Sequence, residues 1–436
     1  MNSSLRLVLA SIAGVLFPGA AAAQQPPLRP LGPVLAVSAE SLASVAQVRA
    51  LSHGGVIVHD LTGRRVVMFD STLKRVTVIA DSTDATNRAY SSRLGGLIAY
   101  RGDSTLFVDP QSLSMLVIDQ NGKVVRTIAA PLPNEINQLI GGQNGTPGFD
   151  AQGRLVYRAL IRTRVPPSLP APGETAMLPI ADSSLVVRVD LKTRKVDTAA
   201  TFRIPKIKAT VTREESTGGI QLRTIASPLP WTDDWALLSD GSLAIVRGQD
   251  YRVDIVTPDG KVISGPKIPF EWQRLSDDDK RAILDSTRAA ADKLRAAIIA
   301  QQRQAAGLDA KSNIDTAKTG ARQLAQAEAT HPAASSAPSV AAPPPVELTP
   351  LNELPDYRPA VRQGAARADA DGNLWIRTSR AVNGSTEYDV INNRGELKER
   401  VLVPPGRVIA GFGPGGVVYM GALDGDVARL ERALAR

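Results

Sequence analysis

Along most of this chain, short runs of alternating apolar and polar residues are broken by a polar turn and then resume. VVMFDSTLKRVTVIA (66–80), MLVIDQNGKVVRTIA (115–129), VVRVDLKTRKVDTAA (186–200), VDIVTPDGKVISGP (253–266) and YDVINNRGELKERVLVP (388–404) share this plan. Each reads as strand, turn, strand, because period-two alternation puts apolar side chains on one face and Arg, Thr or Lys on the other. Asn121-Gly122 and Asp259-Gly260 are turn dipeptides that supply the positive φ a tight hairpin requires.

A second phrase precedes each hairpin. GGVIVHD (54–60), STLFVDP (104–110), AQGRLVYRA (151–159), SDGSLAIVRG (239–248), DADGNLWIRT (369–378) and GPGGVVYMG (413–421) each place a turn before a short strand rich in Val, Ile, Leu and aromatics. This inner phrase occurs six times and the outer hairpin only five, since GALDGDVARLERALAR is all that follows the last copy. The missing strand is expected from the other end of the chain, where PVLAVSAESL (33–42) suits the role. Repeats of roughly 40–55 residues closed by a terminal strand predict an all-β protein, a six-bladed β-propeller, which avoids long exposed sheet edges.

The pattern breaks from Trp272 to about Ala329. Ser276 is a candidate N-cap, and Asp277, Asp278 and Asp279 fill a first turn where the helix dipole favours negative charge. Ile283, Leu284, Thr287, Ala291, Leu294 and Ile298 fall near one stripe, so a helix is predicted. HPAASSAPSVAAPPPVELTP (331–350) then has the composition of an extended linker. The expected layout is blades 1–4 with the closing strand in 24–272, the helical and Pro/Ala-rich insertion in 273–352, and blades 5 and 6 in 353–436. The insertion is expected to pack on the rim or to serve as a lid or docking arm.

Residues 1–23 read as a signal peptide: Arg6, the apolar run LVLASIAGVLF, then Ala21-Ala22-Ala23 as the cleavage site. The expected location is therefore periplasmic or secreted, with no membrane span after cleavage. Cysteine is absent, which excludes disulfides, thiolate metal sites and Cys nucleophiles. The net charge is +8, but the 51 basic residues are mixed with 43 acidic ones and aromatics are only 4%. Nucleic-acid binding needs clustered cations with stacking aromatics, so none is expected. The chain is expected to be a monomer that meets an unidentified protein or an anionic ligand.

The stretch from DADGNLWIRT to ERALAR resembles the last two blades of exported bacterial six-bladed propellers of the NHL/TolB-like class. TLFVDPQSLSMLVIDQNGKVVRTI is similar to a single NHL-type repeat. The resemblance covers most of 45–270 and 355–436 and leaves out the insertion. It implies the architecture and carries no catalytic residues. Gluconolactonase-like members of that architecture hold a divalent metal on the propeller axis through acidic and amide side chains, a set that has no residue-by-residue match here.

No catalytic motif emerges. GFGPGG (411–416) satisfies G-x-G-x-x-G but runs into a strand rather than a helix, so it cannot hold a pyrophosphate at a helix N-terminus. In DADGN (369–373) the Gly comes fourth, and Arg380 stands where a calcium loop needs Glu. His53, His59 and His331 are widely separated, and no metal site, cofactor or triad is expected from them.

The candidate chemistry lies instead in residues that close the inner phrase: His59, Asp109, Arg158, Val246, Arg377 and Met420, with Arg247 one step on. Equivalent positions of successive blades form a ring near the face where propellers commonly bind. His59, Asp109, Arg158, Arg247 and Arg377 are thus the candidate ligand-reading residues, biased toward anions. The leading expectation is a non-catalytic binding module. The alternatives are a metal-dependent lactonase using Asp109 with a Glu or Asn of other blades, and an envelope scaffold docking through the insertion.

Overall fold

The computed structural model of the protein describes residues 26–82, 94–161, 170–177, 181–205, 208–216, 218–305, 346–425 and 427–436. The expected leader and most of the Pro/Ala-rich stretch lie outside these residues. Within them the chain is a β-propeller with a helical insertion between its fourth and fifth blades.

The first blade sets the pattern. Gln47–Ala50, Val56–Asp60, Arg65–Phe69 and Val76–Asp81 pair antiparallel in chain order, from the axis outward. Five further sheets repeat this meander, with innermost strands Gly96–Ala99, Gly148–Phe149, Asp234–Leu237, Ala366–Ala368 and Arg407–Gly413. The second strand is the inner phrase of the sequence, and Val56–Asp60 shows why it is so apolar: all five of its residues are buried. Sheets packed on both faces need apolar residues on both, whereas an outermost strand such as Val262–Lys267 is largely exposed and mixed.

Neighbouring blades share their cores. Ile57 and Val66 of the first blade pack with Phe107 and Leu116 of the second, while Val56 and Val58 turn the other way onto Tyr419 and Leu430 of the sixth. Each such side chain contributes roughly 1.5–3 kcal/mol on burial, so a blade is stable only between its neighbours. In each of the first five blades the pairing of the third and fourth strands slips once, as at Val66/Val67 and Arg252/Asp254. Bulges of this kind increase twist, which lets the sheets wrap around an axis.

The N-terminal segment stitches the ring shut. Leu28–Pro30 adds in parallel to the outer edge of the fifth blade, and Val34–Val37 completes the sixth by pairing with Val427–Leu434. Gly32 lies between them, where a Cβ would come within 2.7 Å of the Leu434 carbonyl oxygen. On the inner side, Gly411 lets the sixth blade approach the first, since a Cβ there would meet the Val48 carbonyl oxygen at 2.6 Å.

A seventh sheet belongs to no blade. Thr175–Met177, Lys208–Arg213, Ile220–Ala226 and Glu347–Leu348 come from the loop inside the third blade, the connection from third to fourth, and the end of the insertion. Glu347 and Leu348 pair in parallel with Ile225 and Ala226, which ties the insertion's return to the third blade's outgoing loop. The insertion itself carries helix α1, Asp277–Ala305. Ser276 caps it, accepting from the Asp279 N–H while Asp279 accepts from the Ser276 N–H.

Candidate functional site

The ends of the second strands, the seventh sheet and the insertion all lie on one face of the ring. At its centre a Gly-rich segment, with short 3-10 turns at Pro133–Ile140 and Gly142–Asn144, reaches from between the second and third blades toward the others. The Gln47 amide donates to the Ile140 carbonyl at 2.7 Å while its own oxygen accepts from the Leu97 N–H. Trp235 Nε1 donates to the Asn144 carbonyl at 3.0 Å, and Tyr157 donates to the buried Glu135 carboxylate at 2.9 Å. On the opposite side Gly364, at φ +75°, comes so near that a Cβ would meet the Gly142 carbonyl oxygen at 2.8 Å. The mouth of the axis is thus crossed by backbone.

The sequence-derived residues are distributed around this segment rather than gathered in one place. His59 is buried edge-on against Phe107, with ring centroids 5.2 Å apart. Burial holds it neutral, lowering its pKa to about 4 although Asp60 opposes the shift. Asp109 is occupied by its own turn, accepting from the Gln111 N–H at 3.3 Å and the Ser112 hydroxyl at 2.8 Å. Arg158 is buried over the Phe202 ring, donating to Ser184 and Asn144 at 3.4 Å. Desolvation lowers its pKa, partly offset by Asp234. Arg247 is clamped by Asp254 at 2.7 Å and Asp233 at 2.9 Å. Arg377 alone of the five is exposed.

Around Arg377 the structure assembles what the repeat could not reveal. Arg377 and Arg362 line a cavity of about 360 Å³ with Thr378, Ser379 and Arg380. Ser379 and Arg380 also line an adjoining one of about 270 Å³, walled by Trp272, Gln273 and Arg358. Four arginines therefore face one cleft. Arg380 pairs with Glu271 at 3.2 Å, and Arg358 donates to the Gln273 amide at 2.8 Å. Arg362 and Arg377 make no ion pair among the described residues. Desolvation first, then the like charges of Arg358 and Arg377, lower the pKa of Arg362. Behind them Arg367 is lowered chiefly by desolvation, with Arg377 adding to it. Cations held together at this cost favour an incoming anion.

The insertion's neck forms one wall of this cleft. Its two arms run side by side, the Arg358 N–H donating to the Gln273 carbonyl and the Leu275 N–H to the Asp356 carbonyl. Lys280, at the root of α1, is buried and fixed to Asp356 at 2.8 Å. From the neck an aromatic row crosses the fourth blade: Tyr251 to Phe270 at 5.1 Å, Phe270 to Trp272 at 5.1 Å, and Trp272 to Trp231 at 5.7 Å between centroids. Among the described residues no three His, Asp or Glu side chains are grouped as a metal site, and no helix is long and apolar enough to cross a membrane.

No family model and no curated protein matches the chain. Among solved structures it is similar to a virginiamycin B lyase from Staphylococcus aureus, at 9% identity over 91% of this chain and 98% of that one, with a TM-score of 0.38. A calcium-binding protein, regucalcin, from Agrobacterium tumefaciens follows at 12% identity over 94% and 97%, TM-score 0.39. The β-propeller domain of Cps50 (Swd1) from Myceliophteria thermophila matches at 10% over 92% and 99%, TM-score 0.36. Likeness at this level carries nothing about activity, and the fold assignment rests on the sheets themselves.

Proposed function

We propose that this chain is a ligand-binding β-propeller whose cleft on the fifth blade takes an anionic group between Arg362 and Arg377, with Arg358 and Arg380 at its sides. The observation that carries this reading is the pair of guanidinium groups in one cavity without a carboxylate of their own. The signal-like residues 1–23 support a periplasmic or secreted setting for it, as a single chain. A bidentate Arg contact to a carboxylate or phosphate is the strongest anion contact a side chain offers, so two facing guanidinium groups suit a multivalent oxyanion.

The test is calorimetric titration with phosphate and with galacturonate, for the protein and for the Arg362→Ala and Arg377→Ala variants. Saturable binding by the protein and at least tenfold weaker binding by each variant is the expected result, tenfold corresponding to about 1.4 kcal/mol. Binding that is absent, or equal in the variants, would remove the cleft from the account. The lactonase alternative needs a metal and free axial carboxylates. Both Asp109 oxygens are engaged in a turn, and backbone crosses the mouth of the axis. Stoichiometric divalent metal accompanied by lactone hydrolysis would replace the binding-module reading with that one.

A further inference from the structure

Trp231, at the far end of the aromatic row, borders a second and larger cavity of about 540 Å³ between the seventh sheet and the third and fourth blades. Its apolar floor is Leu229, Pro230 and Ile225. Its rim is built of donors and acceptors already held in place: Arg203 donates to the Gln249 amide at 2.5 Å, and Lys208 pairs with Glu353. Glu353 and Pro355 precede the insertion's neck by a few residues, so one short stretch of chain walls both cavities, with the Trp272–Trp231 pair as the saddle between them.

We infer that the two cavities are subsites for one ligand, an acidic oligosaccharide. Its carboxylate lies between Arg362 and Arg377, a ring rests on the tryptophan saddle, and the next ring occupies the larger cavity. The assignment rests on the anion-binding reading of the fifth-blade cleft. An amphiphilic anion with an alkyl tail would need a continuous apolar wall, and the second cavity interleaves charged and amide groups with its apolar floor. A sugar ring matches that mixture. Its hydroxyls both donate and accept, as do Arg203, Gln249, Lys208 and Glu353 together, while its C–H face packs on an indole.

Calorimetric titration with galacturonate, a short galacturonate oligomer, a neutral gluco-oligosaccharide of equal length and an acidic glutamate peptide tests this. The oligomer is expected to bind about tenfold more tightly than galacturonate and than the neutral chain. Gln249→Ala and Trp231→Ala are expected to reduce oligomer affinity to that of galacturonate while leaving galacturonate binding unchanged. Gln249 is exposed, so its variant tests the rim without disturbing the core. An oligomer no tighter than galacturonate overturns the second subsite and leaves the anion cleft standing. No binding by either acid overturns both, and equal or tighter binding of the peptide overturns the sugar assignment.

Discussion

The fourth and fifth blades both bring an arginine to the end of the second strand, one residue apart in the repeat, and the two lead different lives. Arg247 shares its side of the strand with Leu243 and Ile245, which pack toward the third blade, and there it meets Asp233 and Asp254. Arg377 shares its side with Trp375, which packs toward the sixth blade, and the charged groups it meets are Arg367 and the phenol of Tyr388. Since side chains alternate faces along a strand, a shift of one residue separates a structural cation from a functional one. A charge held by its own blade's carboxylates is spent, and one facing other cations is available.

The largest effect expected from this contrast is on stability. Arg247→Ala leaves Asp233 and Asp254 facing each other, both nearly buried. Denaturant unfolding should register a loss of about 3 kcal/mol, as for a buried pair deprived of one partner. A loss under about 1 kcal/mol would mean that the clamp is not structural.

Next comes the junction between the fifth-blade loop and the axial segment. Gly364→Ala strains a backbone at φ +75° and drives a methyl against the Gly142 carbonyl. The expected cost is roughly 1–3 kcal/mol in thermal unfolding, together with weaker anion binding because the loop carrying Arg362 must shift. Unchanged binding would detach the cleft from the axial segment.

Two buried groups give the blades opposite pH signatures. Burial raises the Asp234 carboxyl to about 7, against the N–H groups of Ala366, Trp235, Gly364 and Ala365. A raised carboxyl favours folding while protonated, so its contribution is complete below about pH 4 and is lost as pH rises toward 7. His59, lowered to about 4, contributes above its ordinary value near 6.5, and that contribution is lost as pH falls toward 4. The two oppose each other over the same window. Asp234→Asn should therefore become less stable on acidification from pH 7 to 4 and His59→Gln more stable, each by at most about 1.4 kcal/mol per pH unit. Parallel pH profiles for the two variants would refute both assignments.

The smallest expected effect is on the stability of Arg377→Ala. An exposed cation beside other cations stabilises little, so its unfolding free energy should stay within about 0.5 kcal/mol of the unsubstituted protein, in contrast to Arg247→Ala. A large loss would place Arg377 in the same structural class as Arg247.

The β-propeller was legible because its repeat is written in local chemistry. Pairs such as Asn121-Gly122 mark the hairpins, and strands such as Val56–Asp60 must be apolar on both faces. Helix α1 was legible from Ser276 and the three aspartates behind it. The seventh sheet was not, because Lys208–Arg213 and Ile220–Ala226 follow no blade phrase, and Glu347–Leu348 is a two-residue strand whose partner lies far away in the chain. Arg377 was found by aligning inner phrases. Arg358, Arg362 and Trp272 were missed because they lie in connections outside the repeat, brought together by the neck of the insertion. The one available signal was local: four arginines between 358 and 380 within a short apolar stretch, besides the buried Arg367.

Crystals of the mature protein soaked in selenate would test the anion cleft most directly, through the anomalous difference map. The account predicts a peak between the guanidinium groups of Arg362 and Arg377, absent in Arg377→Ala crystals. Peaks at other surface arginines with none in that cavity would contradict it.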